Sequence, residues 1–344
     1  MNLKKSITIA IILIITAISS WELYWRSQGY KPNIEDDTAL WAVQRGKVDH
    51  ASSSDVVLFG SSRVLFDFQL DAWENETGIR PIQLATAGAS PLPGFRDLVE
   101  NTKFNGTVIV GVTPGLFFST TYPMASPWSR IQSRVTYFYD RTYAQRINNM
   151  LSIPLQSNFA FLRADDEEWS DDLNLKSLVS RIKIGNRTNS QLPPFYRFSD
   201  IDLDRNVKMS DRTAKDTAFA NTIIKVWGFF GSTAPPPDKA STMAFFMEDV
   251  QNFIDRGGNL ILVRCPSSGG VRIGENMALP RSEFWDVLTS KANVKSYHFE
   301  DYEQLKHFDC PEWSHLSASD ATKFTTELAK IMKNDGALTN LKTD

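Results

Sequence analysis

Histidine and cysteine are scarce in this chain, with four of one and two of the other among 344 residues. The scarcity argues against a metal centre, because no His, Cys and carboxylate cluster has the spacing a metal ion needs. It also narrows the search for a catalytic base to His50, His298, His307 and His315. A basic excess is missing too. The formal net charge is -3, whereas nucleic-acid binding normally calls for a basic face. There is no internal repeat, no low-complexity tract and no cofactor signature. What is present is ordinary for a globular protein, 42% hydrophobic and 22% charged, and long enough for one large core or two modest ones. The 22 Phe and 9 Trp suit a core, a carbohydrate-facing surface or a membrane-facing one.

The longest uncharged apolar stretch is at the start. Lys4 and Lys5 precede Ser6 to Ser20, which carries no charge, and Trp21 to Trp25 (WELYW) follows. A helix needs about 20 apolar residues to cross a bilayer, and this run nearly reaches that if Trp21 and Tyr24 sit in the interface. Residues 1–25 are expected to anchor the chain, with the lysines cytoplasmic and the remainder exported. A cleaved signal peptide, cut after Ala17-Ile18-Ser19, is the alternative. In the oxidising compartment that either reading implies, Cys265 and Cys310 form a disulfide or stand as two buried thiols; both remain open.

Residues 26–54 read as a polar tether with one helix around Thr38 to Arg45. Strands and helices then alternate. Strands are expected at Val56–Gly60, Ile82–Gly88, Gly106–Gly115, Asn259–Pro266 and Asn293–Glu300. A helix over 62–78 should be closed by Gly78, and a terminal helix capped by Ser317. Between about 116 and 240 the rhythm breaks, and an insertion or cap, partly helical, is expected over one end of the sheet. The stretch from Cys265 to Trp285 reads as a long loop at that end. Strands alternating with helices imply an α/β domain, residues 55–344, with a doubly wound parallel five-stranded sheet. In such sheets the site lies beyond the carboxyl ends of the strands.

Three strand ends carry the chemistry: Gly60-Ser61-Ser62-Arg63, Ala87-Gly88-Ala89-Ser90 and Gly111-Val112-Thr113-Pro114. Ser62 stands where a strand hands over to a helix, beside backbone N–H groups that favour negative charge. Gly88 offers another N–H with no side chain in the way. His315 precedes the terminal helix, and Glu312 three residues earlier can orient it. Each feature has a plain reading as turn chemistry or as a solvated loop residue. Their joint placement suggests a nucleophile, base and acid: Ser62, His315 and Glu312. Arg63 and Arg264 are candidates for binding an anionic or carbonyl-bearing substrate group, or else for salt bridges to a carboxylate of the insertion. Arg272 and Arg281 are placed to shape the cleft.

These blocks resemble the SGNH (GDSL-type) hydrolase superfamily, particularly its membrane-anchored bacterial members acting on cell-envelope polymers. Gly60-Ser61-Ser62 matches the first block, Gly88 the second, Gly111-Val112-Thr113-Pro114 the third and Glu312-Trp313-Ser314-His315-Leu316 the fifth. The likeness covers about 55–115 and 243–335. Thr113 stands where the family has asparagine. Glu312 stands where it has aspartate, with Asp309 as a substitute acid. The resemblance implies a flavodoxin-like SGNH fold and a single-pass bacterial inner-membrane protein whose main domain is extracytoplasmic. It implies a serine esterase or O-acyltransferase acting on ester groups of a cell-envelope polysaccharide. The oxyanion would be held by Ser62, Gly88 and Thr113, and a membrane acyl-transfer partner would serve the transferase case. A non-catalytic envelope assembly protein that binds a polymer or partner in the same cleft is the rival. A secreted lipase would need an apolar lid, which the charged segment RADDEEWSDD (163–172) does not offer.

Overall fold

The computed structural model describes residues 3–119, 125–162, 179, 192–234 and 236–338. The charged segment 163–172 lies outside them. Five short strands form one all-parallel sheet: β1 (Val56–Phe59), β2 (Ile82–Gln83), β3 (Thr107–Gly111), β6 (Asn259–Arg264) and β7 (Lys295–His298), in the order β2-β1-β3-β6-β7. A separate antiparallel pair, β4 (Ser199–Ile201) and β5 (Val207–Met209), belongs to the inserted region. Without that pair the order is the flavodoxin-like one, whose switch point lies between the first and third strands.

The strands are apolar on both faces because both faces are covered. Val56 and Leu58 point into one layer with Phe68, Trp73, Phe324 and Leu328. Val57 and Phe59 point into the other with Trp41, Phe95, Phe246 and Trp285. The first layer is built by α3 (Ser62–Asp67), α4 (Leu70–Thr77) and α14 (Ala318–Asn334), the second by α2 (Thr38–Val48), α5 (Leu92–Asn101), α11 (Lys239–Asp255) and α13 (Trp285–Ala292). Ser317 caps α14 by accepting from the Asp320 N–H, and Gly78 closes α4 with φ +75°.

Three expectations need correction, and one open alternative is resolved. The single helix over 62–78 is two, broken at Phe68 and Gln69, where the Gln69 N–H turns to the Thr325 hydroxyl instead of to its own helix. The loop after Cys265 contains α12 (Gly269–Ala278). Residues 26–54 are no loose tether. Asn33, Ile34 and Trp41 are buried, and Asp36 accepts from Arg205 at 2.6 and 2.9 Å and from Arg134. Burial raises the Asp36 carboxyl, but the two guanidiniums outweigh it and hold the group down at about 2. Cys265 and Cys310 are two buried free thiols.

The inserted region adds α6 (Pro114–Phe117), α7 (Ser126–Asp140), α8 (Tyr143–Asn158), α9 (Asp211–Lys215) and α10 (Thr217–Thr233). Phe195, Phe198, Phe219, Ile223 and Val226 from it join the first core layer. At the N-terminal end of the chain, α1 (Leu3–Ser27) contains an 18-residue window of mean hydropathy 1.9 and has no buried residue. Its 25 residues give about 37 Å at the α-helical rise, long and apolar enough to span a membrane. Trp21, Tyr24, Trp25 and Tyr30 form an aromatic cluster at its end.

Candidate active site

The corner after β1 is tight because glycine permits it. A Cβ on Gly60 would come within 2.3 Å of Val64, and one on Gly111, at the end of neighbouring β3, within 2.0 Å of the same side chain. Both glycines let α3 press its Val64 against the sheet. Ser61 is extended (φ −94°, ψ −163°) at the helix cap, and Ser62 opens α3. Pairing between β1 and the chain after β2 continues past the strand, from the Leu84 N–H to Leu58 O at 2.9 Å and the Thr86 N–H to Gly60 O at 3.0 Å. The loop holding Gly88 therefore runs beside Ser62. Gly88 has φ +62°, a conformation that favours glycine.

His315 Nε2 lies 2.7 Å from Ser62 Oγ, and His315 Nδ1 lies 2.8 Å from Glu312 Oε1. With the proton on Nδ1 donated to Glu312, Nε2 is free to accept from the serine hydroxyl. Glu312 Oε1 also accepts the His315 backbone N–H at 2.7 Å, and Oε2 accepts the Trp227 indole N–H. One longer carboxylate thus binds the loop and the ring together. The tight turn is held by Trp313, whose φ of +76° is rare for a bulky residue. Its indole lies over Gly269 and Gly270, where a Cβ would sit 2.4 and 2.8 Å from it. Asp309 instead accepts the Cys310 N–H and has no part in the Glu312–His315 pair.

Glu312 and His315 are buried, while Ser62 and Thr113 are half-buried and Gly88 is exposed, so solvent reaches the serine side. Phe66 stacks on the imidazole at 4.4 Å, with Phe198 at 5.9 Å and Trp227 edge-on at 5.7 Å. Aromatic faces favour a cationic ring by roughly 0.5–2 kcal/mol. Asp67 lies beneath the loop, and its Oδ1 accepts the Leu316 N–H at 3.0 Å. Burial, with Glu312 adding to it, pushes the Asp67 carboxyl well above its ordinary range despite Arg63.

The two arginines do something other than face a substrate. Arg63 Nη2 meets Glu275 at 2.7 Å and Arg264 Nη2 meets it at 2.6 Å, all largely buried. Glu275 comes from α12, not from the insertion. Burial raises its carboxyl, but Arg264 and Arg63 together bring it to about 2. Arg63 Nε also donates to Ser314 O at 3.2 Å, so the pair braces the His315 loop from below. Arg272 pairs with Glu300, and Arg281 with Asp286 and Asp301, beyond β7 rather than at Ser62. The Thr113 hydroxyl meets Ser61 Oγ at 2.6 Å.

Several neighbours escaped sequence reading. Phe66 was within reach, since residues i and i+4 share a helix face and Ser62 starts that helix. Phe198 and Trp227 lie in a region without rhythm, and Glu275 in an assumed loop. Arg130 is another: its guanidinium is 3.9 Å from where a Gly88 Cβ would be. A groove of about 710 Å3 lined by Met209, Lys215, Pro311 and Asp320 includes none of Ser62, His315 and Glu312. Among the described residues no cluster of His, Cys, Asp and Glu could hold a metal ion. Neither the family models nor the curated proteins compared with this chain give a match.

Proposed function

We propose that this chain is an exported, membrane-anchored serine esterase or O-acyltransferase of the SGNH type, acting on ester groups of a cell-envelope polysaccharide. The observation that carries the reading is the unbroken hydrogen-bond chain Ser62–His315–Glu312 at 2.7 and 2.8 Å, set at the carboxyl end of β1 beside the switch point of the sheet. The anchor helix and the resemblance in the strand-end blocks direct the reading to the envelope, with the main domain on the extracytoplasmic side of a bacterial inner membrane.

In this mechanism Ser62 Oγ attacks the ester carbonyl as its proton passes to His315 Nε2. Glu312 stabilises the imidazolium through Nδ1, and the stacked Phe66 adds to that. The carbonyl oxygen becomes an oxyanion, placed against the backbone N–H groups of Ser62 and Gly88. Such donors are worth about 2.7–4 kcal/mol each where they have been removed. The carbon–oxygen bond to the leaving alcohol then breaks, and His315 returns the proton to that alcohol. The acyl group on Ser62 passes to water in an esterase or to a sugar hydroxyl in a transferase; His315 takes the acceptor's proton and delivers it to Ser62 Oγ as the bond from Oγ to the acyl carbon breaks.

The test is labelling of the full chain in detergent with a fluorophosphonate probe, comparing wild type with Ser62→Ala and His315→Ala. Labelling of wild type that disappears in both variants is the expected result. No labelling of a folded wild type would favour the non-catalytic envelope protein, and labelling that survives Ser62→Ala would place the nucleophile elsewhere.

A further inference from the structure

Helix α8 is inside out. Its partly buried positions are three polar residues, Asn149, Ser152 and Gln156, together with Ile147 and Ile153, while Tyr143, Met150, Leu151 and Leu155 face outward. Tyr143 is 78% exposed, Met150 61%, Leu151 61% and Leu155 51%, and no residue of the helix is buried. At 100° per residue, these four and Pro154 fall on one face. A soluble protein normally turns such a stripe inward, and an exposed apolar face of this length marks an interaction surface.

Contacts to the anchor say what covers it. The helix ends at the level where α1 ends: Arg26 of α1 donates to Asn158 O at 3.0 Å, and Glu22 accepts the N–H groups of Ala160 and Phe161 at 3.0 and 3.2 Å. Gln156 of α8 also accepts the Glu35 N–H at 2.9 Å, fixing the helix to the chain that leaves the anchor. The exposed aromatic residues Trp21 and Tyr24 lie at that same end of α1. Charge agrees. From 141 to 162 there is no acidic residue, and Arg141 and Arg146 stand at the start of α8. An apolar face with basic residues and no acidic ones suits a bilayer surface that carries anionic headgroups.

We infer that α8 is an interfacial helix, its Tyr143, Met150, Leu151 and Leu155 face inserted among the lipid headgroups of the bilayer that α1 spans. This rests on the reading of α1 as a membrane anchor. The anchor and α8 together give the domain two attachments to one surface. With Asn33, Ile34 and Asp36 already held against the domain, the second attachment would keep Ser62 at a fixed orientation to the membrane.

The test uses the full chain in vesicles of phosphatidylethanolamine and phosphatidylglycerol. Single cysteines at Leu151→Cys, Leu155→Cys, Ile12→Cys and Lys330→Cys carry a bimane fluorophore, with wild type as control for the two buried native thiols. Brominated acyl chains should remove most of the fluorescence at positions 151, 155 and 12 and leave that at 330. External iodide should do the reverse. Labels at 151 and 155 that respond to iodide as 330 does, while 12 still responds to brominated lipid, would overturn the interfacial helix and leave the anchor standing. That is the pattern expected if a protein partner, absent from these vesicles, were the true occupant. A label at 12 that brominated lipid does not reach would overturn the anchor and the interfacial helix with it.

Discussion

The sheet and the inserted region divide the candidate site between them in an unequal way. Elements of the sheet bring Ser62, Gly88, Glu312 and His315, the groups with atoms for the reaction. The inserted region brings Phe198 and Trp227, which line the imidazole and hold the far oxygen of Glu312. One region supplies the groups to which the proposed reaction gives chemistry, and the other supplies surroundings that hold His315 and Glu312 in place. The same inserted region also carries α8, so under the inference above the part least regular in sequence is also the one that would tie the site to the membrane.

The sharpest way to break that division is to compare losses on the two sides. Ser62→Ala is expected to lower kcat/KM on an acyl ester by about 10^4-fold or more with folding intact, as removal of a triad nucleophile does elsewhere. Turnover of a model ester by the full chain in detergent measures it. If Trp227→Phe cost as much as Ser62→Ala, the inserted region would be part of the reacting machinery and the division would fail.

Glu275→Gln probes the sheet side through stability. The buried Arg63 and Arg264 would keep their charges and lose the carboxylate between them, and breaking such a buried arrangement costs about 3–5 kcal/mol. Chemical denaturation should register the loss. Acid titration sharpens it. Glu275 has its folded value depressed from 4.5 to about 2, so its contribution is present above 4.5 and is lost as pH falls through about 2. Wild type should lose stability across that window more steeply than Glu275→Gln.

Legibility follows the same division. The strands, the Ser62 corner and the Glu312–His315 spacing could be read because each is a local pattern: an apolar run, a glycine, a three-residue interval. Glycines 60 and 111 lie in those patterns, yet what they accommodate is Val64, a contact between a strand end and a helix face that no local pattern shows. Arg63 and Arg264 misled for a related reason. A salt bridge was one of the two readings for them, but their partner Glu275 sits in a helix that three glycines, Gly269, Gly270 and Gly274, made look like a loop. Residues 26–54 read as a tether because polar side chains there look solvated. Asp36 is in fact paired to Arg205, 169 positions away. Long-range pairing of charges carries no sequence period.

Trp227→Phe keeps the aromatic edge against His315 and removes only the N–H donated to Glu312. A hydrogen bond to a charged group is worth about 1.5–3 kcal/mol, so kcat/KM should fall by roughly 10- to 100-fold. Fluorophosphonate labelling should slow and still reach completion. Unchanged turnover would mean that the two bonds from His315 suffice to fix Glu312, and would reduce the inserted region to packing.

Thr113→Val gives the smallest expected effect and separates two roles for one hydroxyl. Thr113 stands where the resembled family has an oxyanion donor, but its Oγ1 is 2.6 Å from Ser61 Oγ. If that bond only steadies Ser61 beside the nucleophile, replacing the hydroxyl by a methyl group of similar shape should cost about 1 kcal/mol, less than a tenfold loss in kcat. If the hydroxyl instead turns to the oxyanion in the transition state, kcat should fall by about 10^2- to 10^3-fold with KM little changed. The shared bond favours the first outcome, because turning away would leave the buried Ser61 hydroxyl without that partner. A loss of the larger size would show that Thr113 abandons Ser61 during turnover, and that the third strand end supplies a reacting group like the first two.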